Sequence, residues 1–159
     1  FADLVLAVNV GVILAALLFM KRMAGTVKVA GVSAAELQRE LAQLPQGRLP
    51  PGVTVYSIDG PFFFGAAETF ERTLKSIGAN VKVVIVRLGR VPFIDATGIN
   101  VLREMAKLFQ RRGIRMLVCE ANEVVQAKLA LARLGETLGA DNLLPDLPAA
   151  IRAADDAAH

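Results

Sequence analysis

The chain has 159 residues, of which 54% are hydrophobic and 21% charged, and its formal net charge at pH 7 is +3. The charges are few and spread along the sequence, which argues against a nucleic-acid-binding surface. One Cys and one His exclude a disulfide framework, a Cys/His metal site and most His-dependent catalytic triads within the chain. Cys119 follows an apolar run, so we expect a buried, inert thiol.

In chain order, the first feature is an apolar segment from Leu4 to Met20, followed directly by Lys21 and Arg22. A helix of this length spans roughly 25 Å, near the lower limit for crossing a bilayer. We therefore expect a transmembrane helix within residues 1–22, as the end of a membrane domain whose preceding residues are missing. A buried core helix is the alternative. Because cations favour the cytoplasmic side, residues 21–159 are expected on the cytoplasmic side of the cell (inner) membrane.

Residues 23–52 are expected to form a connector with one short helix. Ser33 and Glu36 have capping-box spacing, in which each side chain satisfies a first-turn backbone amide. Leu37, Leu41 and Leu44 then lie on one stripe, and Pro45 is expected to end the helix.

The soluble domain is expected to cover residues 53–159, as strands that alternate with helices. The expected strands are Val53 to Ile58, Phe62 to Phe64, Val83 to Val86 and Ile114 to Cys119. The expected helices run from Gly65 to Ile77, from Asp95 or Thr97 to Gly113, from Asn122 to a stop at Gly135, and from Pro148 to Ala154, and Leu143 and Leu144 dock on the core. This alternation predicts a compact α/β sheet with parallel pairings, which folds without the apolar segment.

The most informative stretch is the central strand with the junction that follows it. Both the odd- and the even-numbered residues from Val83 to Val86 are apolar, which is typical of a strand covered on both faces. The strand is expected to end before Arg87 to Arg90. Asp95 or Thr97 can accept a hydrogen bond from a first-turn amide of the next helix. That helix carries one apolar stripe, composed of Ile99, Leu102, Met105, Ala106 and Phe109.

From Val53 to Ile151 the chain resembles a STAS domain, the domain of sulphate transporters and anti-sigma-factor antagonists. With the apolar segment before it, the chain resembles the C-terminal end of a SulP-family anion transporter. The resemblance is carried by three blocks in order: Ile58 to Gly65 (IDGPFFFG), Val91 to Gly98 (VPFIDATG), and Arg111-Arg112-Gly113 leading into a strand.

The resemblance implies a STAS-type sheet of four to five strands with helices packed around it. It implies no active site and no cofactor, so the chain is not expected to be an enzyme. The expected function is a cytoplasmic regulatory and docking domain of a secondary transporter for sulphate, bicarbonate or a dicarboxylate. Expected partners are the transporter's own membrane domain, a second protomer, a cytoplasmic regulatory protein, and the membrane itself through residues 4–20. The alternative is a membrane-anchored signalling protein that binds a kinase-like partner, as anti-sigma-factor antagonists do.

The predicted switch or docking loop comprises Asp95, Ala96, Thr97 and Gly98. In anti-sigma-factor antagonists a phosphorylated serine follows this Asp, whereas Ala96 has no hydroxyl. Thr97 places a hydroxyl at a helix N-terminus, where a phosphate is tolerated; a cap or packed hydroxyl is the alternative. Arg103, Lys107 and Arg111 repeat at four-residue intervals, which predicts a cationic ridge that faces a partner or is simply solvated.

Overall fold

The computed structural model describes residues 2–24, 28–31, 34–42, 48–78 and 80–156. The strands are β1 (Lys28–Gly31), β2 (Val53–Asp59), β3 (Val83–Arg90), β4 (Arg115–Cys119) and β5 (Leu143–Leu144). The helices are α1 (Ala2–Ala24), α2 (Ala34–Leu41), α3 (Phe64–Lys75), α4 (Ala96–Arg111), α5 (Glu123–Leu131), α6 (Leu134–Leu138) and α7 (Leu147–Asp156), with a single 3-10 turn at Ala140–Asn142.

The five strands form one sheet in the order β1-β2-β3-β4-β5. The strands β2 to β5 are parallel to one another, and β1 is antiparallel to β2. In the centre of the sheet, Ile85 lies between Val55 and Leu117. The α/β architecture with parallel pairings, predicted from the alternation of strands and helices, is confirmed.

Both faces of the sheet are covered, as the apolar run in β3 requires. Val84, Val86 and Leu88 point into a large core that α3, α4, α5 and α6 complete. Val83 and Ile85 point to the other face, where a smaller core includes Leu41 of α2 and apolar residues of α7. Because side chains alternate between the faces of a strand, an uninterrupted apolar run needs cover on both sides.

Two predictions about strands are wrong: the strand expected at the aromatic run, and the end expected for β3. The aromatic run does not form a strand, because Phe62 makes only an isolated parallel bridge to Ile94 and α3 begins at Phe64. The carbonyl of Phe63 accepts hydrogen bonds from two amides of the first turn of α3, which commits this stretch to a helix. The strand β3 continues through Arg87 to Arg90 rather than ending before them.

A third difference concerns the predicted helix stop at Gly135. The helix α5 already ends at Leu131, and Gly135 lies inside α6. The left-handed backbone between these two helices is at Arg133, with a φ of 52°. The break therefore falls on a residue that sequence patterns do not associate with helix ends.

The segment predicted to be a connector contributes an edge strand to the sheet and a helix to the smaller core. β1 pairs with β2 along its whole length, from Lys28 opposite Asp59 to Gly31 opposite Tyr56. Leu41 of α2 is 4% exposed and belongs to the smaller core. The predicted cap at Ser33 and the predicted helix end at Leu44 and Pro45 lie outside the described residues.

The helix α1 includes the apolar segment, and its large apolar side chains from Leu4 to Phe19 are exposed. Within the part of the chain that the structure describes, no helix is both long enough and apolar enough to cross a membrane. The predicted transmembrane helix in residues 1–22, and with it the membrane contact through residues 4–20, is therefore not confirmed.

We predict that a chain of residues 53–159 still unfolds cooperatively in urea but is less stable than the whole chain. Nearly all of both cores comes from residues after 52, which preserves cooperativity. Loss of Leu41 opens a cavity and loss of β1 unpairs the edge of β2, so the free energy of unfolding should fall by about 2 to 5 kcal/mol. Removing residues 1–24 alone leaves β1 and α2 in place and serves as the control. A gradual, non-cooperative transition of the shorter chain would contradict the prediction.

Candidate functional site

The predicted switch or docking loop lies between β3 and α4 and is held against the backbone of Phe62. The Phe62 amide donates to the carbonyl of Phe93 at 3.0 Å, and the Asp95 amide donates to the carbonyl of Phe62 at 3.2 Å. Within the segment between β3 and α4, the side chains of Val91 and Ile94 are buried. These hydrogen bonds and buried side chains fix the approach to α4, so the residues at the start of α4 are presented from a rigid base.

Asp95 is the N-cap of α4. Its Oδ1 accepts a hydrogen bond from the Gly98 amide at 2.8 Å, which satisfies one of the free donors of the first turn. Of the two candidate caps, Asp95 takes this role, and Thr97 is exposed on the first turn beside the exposed Ala96. The helix then buries the predicted apolar stripe from Ile99 to Phe109.

Gly98 is required by a close approach of two backbones. A Cβ atom at this position would lie 2.6 Å from the Phe62 carbonyl oxygen and 2.9 Å from Cγ1 of Ile94. Contacts this short force the backbone to shift. The absence of a side chain at Gly98 therefore allows the first turn of α4 to lie directly against the segment that precedes α3.

Two side chains from α5 and its cap tie the loop to α5, and neither contact was predicted from the sequence. Lys128 Nζ donates to the carbonyl of Ile94 at 2.8 Å. Asn122 accepts from the Val125 amide at 2.9 Å, as its predicted capping role requires, and also donates through Nδ2 to the carbonyl of Val91 at 2.8 Å. The loop is thus held by α5 as well as by Phe62.

An apolar pocket opens beside the loop. Its volume is about 250 Å³, and it is lined by Ile94, Asp95, Ala96, Ile99, Lys128, Leu131 and Ala132. Leu131 is 88% exposed at its rim, and nearby Phe93 is 43% exposed. The ring of Phe93 stacks on that of Phe63, with centroids 6.0 Å apart and planes inclined by 9°. We call the pocket together with Phe93 and Thr97 the loop patch.

The predicted cationic ridge on α4 contains cations with different surroundings. Arg103 Nη2 donates to the Ala132 carbonyl at 2.8 Å, which ties α4 to the end of α5 beside the loop patch. Lys107 pairs with Glu104 at 3.0 Å, and Arg111 is exposed near the end of α4. The hydrogen bond from Lys107, with the charges of Lys107, Arg111 and Arg103, lowers the pKa of Glu104. Arg103 therefore has a structural contact, whereas Lys107 and Arg111 lie further along the helix.

The thiol of Cys119 is protected from solvent. Cys119 is 1% exposed, as predicted, and burial raises the pKa of its thiol to about 12. Among the described residues, no group of three His, Cys, Asp or Glu side chains is placed to hold a metal ion.

Comparison with known proteins relates the chain to one family. Residues 45–150 match the family model of the STAS domain. The structure of the SulP transporter STAS domain from Vibrio cholerae is 44% identical, with a TM-score of 0.65, and the match covers 78% of this chain and 97% of that one. The murine Slc26a9 anion transporter in its inward-facing state has the same fold, with a TM-score of 0.68 at 16% identity over 94% of this chain and 25% of that one.

Curated relatives of the chain include proteins named as sulfate transporters. Sulfate transporter 1.2 from Arabidopsis thaliana is 24% identical over 160 residues, a match that covers 93% of this chain and 24% of that protein. The chain thus spans about a quarter of the length of the curated relatives it matches.

Two glycine substitutions test the close approach at the loop. We predict that Gly98→Ala lowers the free energy of unfolding by about 1 to 3 kcal/mol, because the added methyl group meets the Phe62 backbone. Gly135→Ala is the matched control, since its Cβ would make an ordinary 3.7 Å contact with Leu143. That change should be neutral or stabilise by up to about 1 kcal/mol. Urea unfolding of both variants measures the difference, and equal effects would show that the Gly98 contact is not limiting.

Proposed function

Because the chain belongs to the STAS domain family, in the form found in SulP transporters, we propose that it is the cytoplasmic regulatory and docking domain of a SulP-type secondary anion transporter. The 44% identity to a SulP transporter STAS domain, over nearly all of that domain, is the main support for this proposal. The named relatives favour sulphate as the transported anion, and bicarbonate and a dicarboxylate are the alternatives.

The proposed role of this domain, which we place at residues 53–159, is binding rather than catalysis. A chain of this length corresponds to a quarter of a transporter, so the anion itself would be bound in a membrane domain. The proposed partner is that membrane domain, with a second protomer or a cytoplasmic regulatory protein as alternatives.

We place the docking surface at the loop patch. Leu131 is an 88% exposed apolar side chain beside an apolar pocket, and Phe93 is a half-exposed aromatic ring already fixed by stacking. Exposed apolar side chains that cluster beside a pocket often mark a surface at which another protein binds. An apolar side chain of the partner would enter the pocket between Leu131 and the start of α4.

Of the ridge residues, Arg103 lies next to this surface, because it contacts the carbonyl of Ala132, which lines the pocket. Lys107 and Arg111 would meet acidic groups of the partner, which raises the rate of encounter and sets the orientation. At the loop itself, Ala96 offers only a methyl group, so the proposed role of Asp95 to Gly98 is docking through shape rather than a phosphorylation switch at Ala96.

We predict that Leu131→Ser in the intact transporter lowers the rate of sulphate uptake at least about fivefold, because it removes a proposed anchor. The thermal midpoint of the 159-residue chain should move by less than about 2 °C, since the side chain is exposed. Val124→Ser is the matched control: Val124 is also exposed on α5, but it does not line the pocket.

A second arm replaces Lys107 and Arg111 by Gln and keeps Arg103, whose contact with Ala132 is structural. Uptake should fall in this variant, and the difference from wild type should shrink at high ionic strength. Unchanged uptake in the Leu131 variant, or an equal loss in the Val124 control, would place the docking surface elsewhere.

The proposed cytoplasmic location is tested by a reporter fused after His159 in the intact transporter. Lys21 and Arg22 follow the apolar segment, and cations next to such a segment favour the cytoplasmic side. We expect activity from a reporter that works only in the cytoplasm. Activity from a reporter that works only outside the cell membrane would contradict this topology.

A further inference from the structure

Three charged side chains from separate parts of the chain meet at one end of the smaller core. Arg87 lies on β3, between Ser57 and Cys119 of the neighbouring strands. Its Nε and Nη2 donate to the carboxylate of Glu120 at 2.9 and 3.0 Å, and its Nη1 donates to Glu40 of α2 at 2.8 Å. One guanidinium group therefore joins β3, the residue after β4, and α2.

The pair between Arg87 and Glu120 is built into the sheet. Glu120 has a φ of 63°, a left-handed conformation that residues with a side chain seldom adopt. A Cβ atom at Gly89 would lie 2.8 Å from Oε2 of Glu120, so the absence of a side chain there leaves room for the carboxylate. The two-pronged contact matches the planar fork of the guanidinium group.

The two carboxylates differ in how firmly they are held. The side chain of Arg87 is 16% exposed and that of Glu120 is 22% exposed, whereas that of Glu40 is 40% exposed. Burial opposes the charge on Arg87, but the hydrogen bonds and charges of Glu120 and Glu40 outweigh this effect and raise its pKa. Glu40 can therefore leave for water while Glu120 still neutralises the buried cation, so the departure leaves no unpaired buried charge.

Among the α2 side chains that the structure describes, Leu41 and Leu37 join Glu40 in holding the helix on the sheet. Of its described side chains, Leu41 is buried, Leu37 is half-buried and packs on the smaller core, and Arg39 is exposed. The helix has eight residues, which is too short to be stable in water without tertiary contacts. The contact between Glu40 and Arg87 therefore adds to the packing of Leu41 and Leu37, on which so short a helix depends.

We propose that Arg87 is a latch that holds α2 on the sheet through Glu40, and that α2 exchanges between this docked position and a released one in which Arg87 keeps only Glu120. The helix α2 precedes residue 45, where the match to the STAS family model begins. The latch thus connects the segment before the family domain to the centre of its sheet. If the proposed function is correct, it would control how a movement upstream of the domain reaches the sheet.

Hydrogen exchange measured by mass spectrometry on the 159-residue chain tests the latch directly. We expect Glu40→Ala to speed exchange of the α2 amides about fivefold, while the amides of β3 and β4 keep their rates. Ala favours the helix more than Glu does, so faster exchange cannot come from a weaker intrinsic helix. Glu71→Ala is the matched control, because Glu71 forms an exposed pair with Lys75 within α3 and should leave α2 unchanged.

Salt provides a second readout that needs no substitution. Raising the NaCl concentration from about 0.05 to about 0.5 M should speed α2 exchange in the wild type toward the rate of the Glu40 variant, because ions screen this half-exposed pair. The variant itself should show little response. Exchange of α2 within about twofold of wild type in the Glu40 variant, or an equal increase across β3 and β4, would overturn the latch. The assay does not involve transport, so its failure would leave the proposed docking function untouched, and the uptake assay would not decide the latch.

Discussion

A strand whose apolar side chains point to both faces of the sheet needs other elements to cover both faces. In this chain β3 is such a strand, and the rest of the fold supplies the cover. Four helices after β2 cover one face, and α7 and α2 complete the other. Leu41, from the helix α2 that lies between β1 and β2 in the chain, belongs to this smaller core. The need for two-sided cover therefore links the segment before residue 45 to the domain that follows it.

The same strand explains why charged groups gather at one end of the sheet. β3 runs on past its apolar part, and Arg87 occupies the next position on the smaller face after Ile85. A cation in that position needs partners, and both Glu120 and Glu40 supply them. The loop that follows β3 then turns back along Phe62 and presents the first turn of α4. The loop patch and the Arg87 cluster thus have a common origin in how β3 ends.

Features set by neighbouring residues were predicted well from the sequence. The Asp95 cap, the Asn122 cap and the apolar stripe of α4 each depend on residues within one or two helical turns. The parallel sheet followed from the alternation of strands and helices, and the family from three short blocks in order. The loop could be placed because a buried strand, a cap and a glycine stand close together in the sequence.

Features that depend on distant residues were not predictable in this way. Lys128 is 34 residues from the carbonyl it binds, and Arg87 is 33 and 47 residues from its two carboxylates. β1 has only four residues, too few for alternation to be recognised, and its position follows from pairing with β2. The end of α5 at Leu131 was also missed, because the left-handed residue that follows it is Arg133 rather than a glycine.

The short length of β5 has a further consequence for how the protein behaves in a crowded cell. The strand β5 consists of Leu143 and Leu144 alone, and Pro145 follows immediately, so this edge of the sheet offers few backbone groups to another chain. Proline has no amide hydrogen and cannot extend the ladder. Such a border resists the strand-by-strand stacking that leads to aggregates. This edge therefore gives neighbouring copies of the chain little backbone with which to pair.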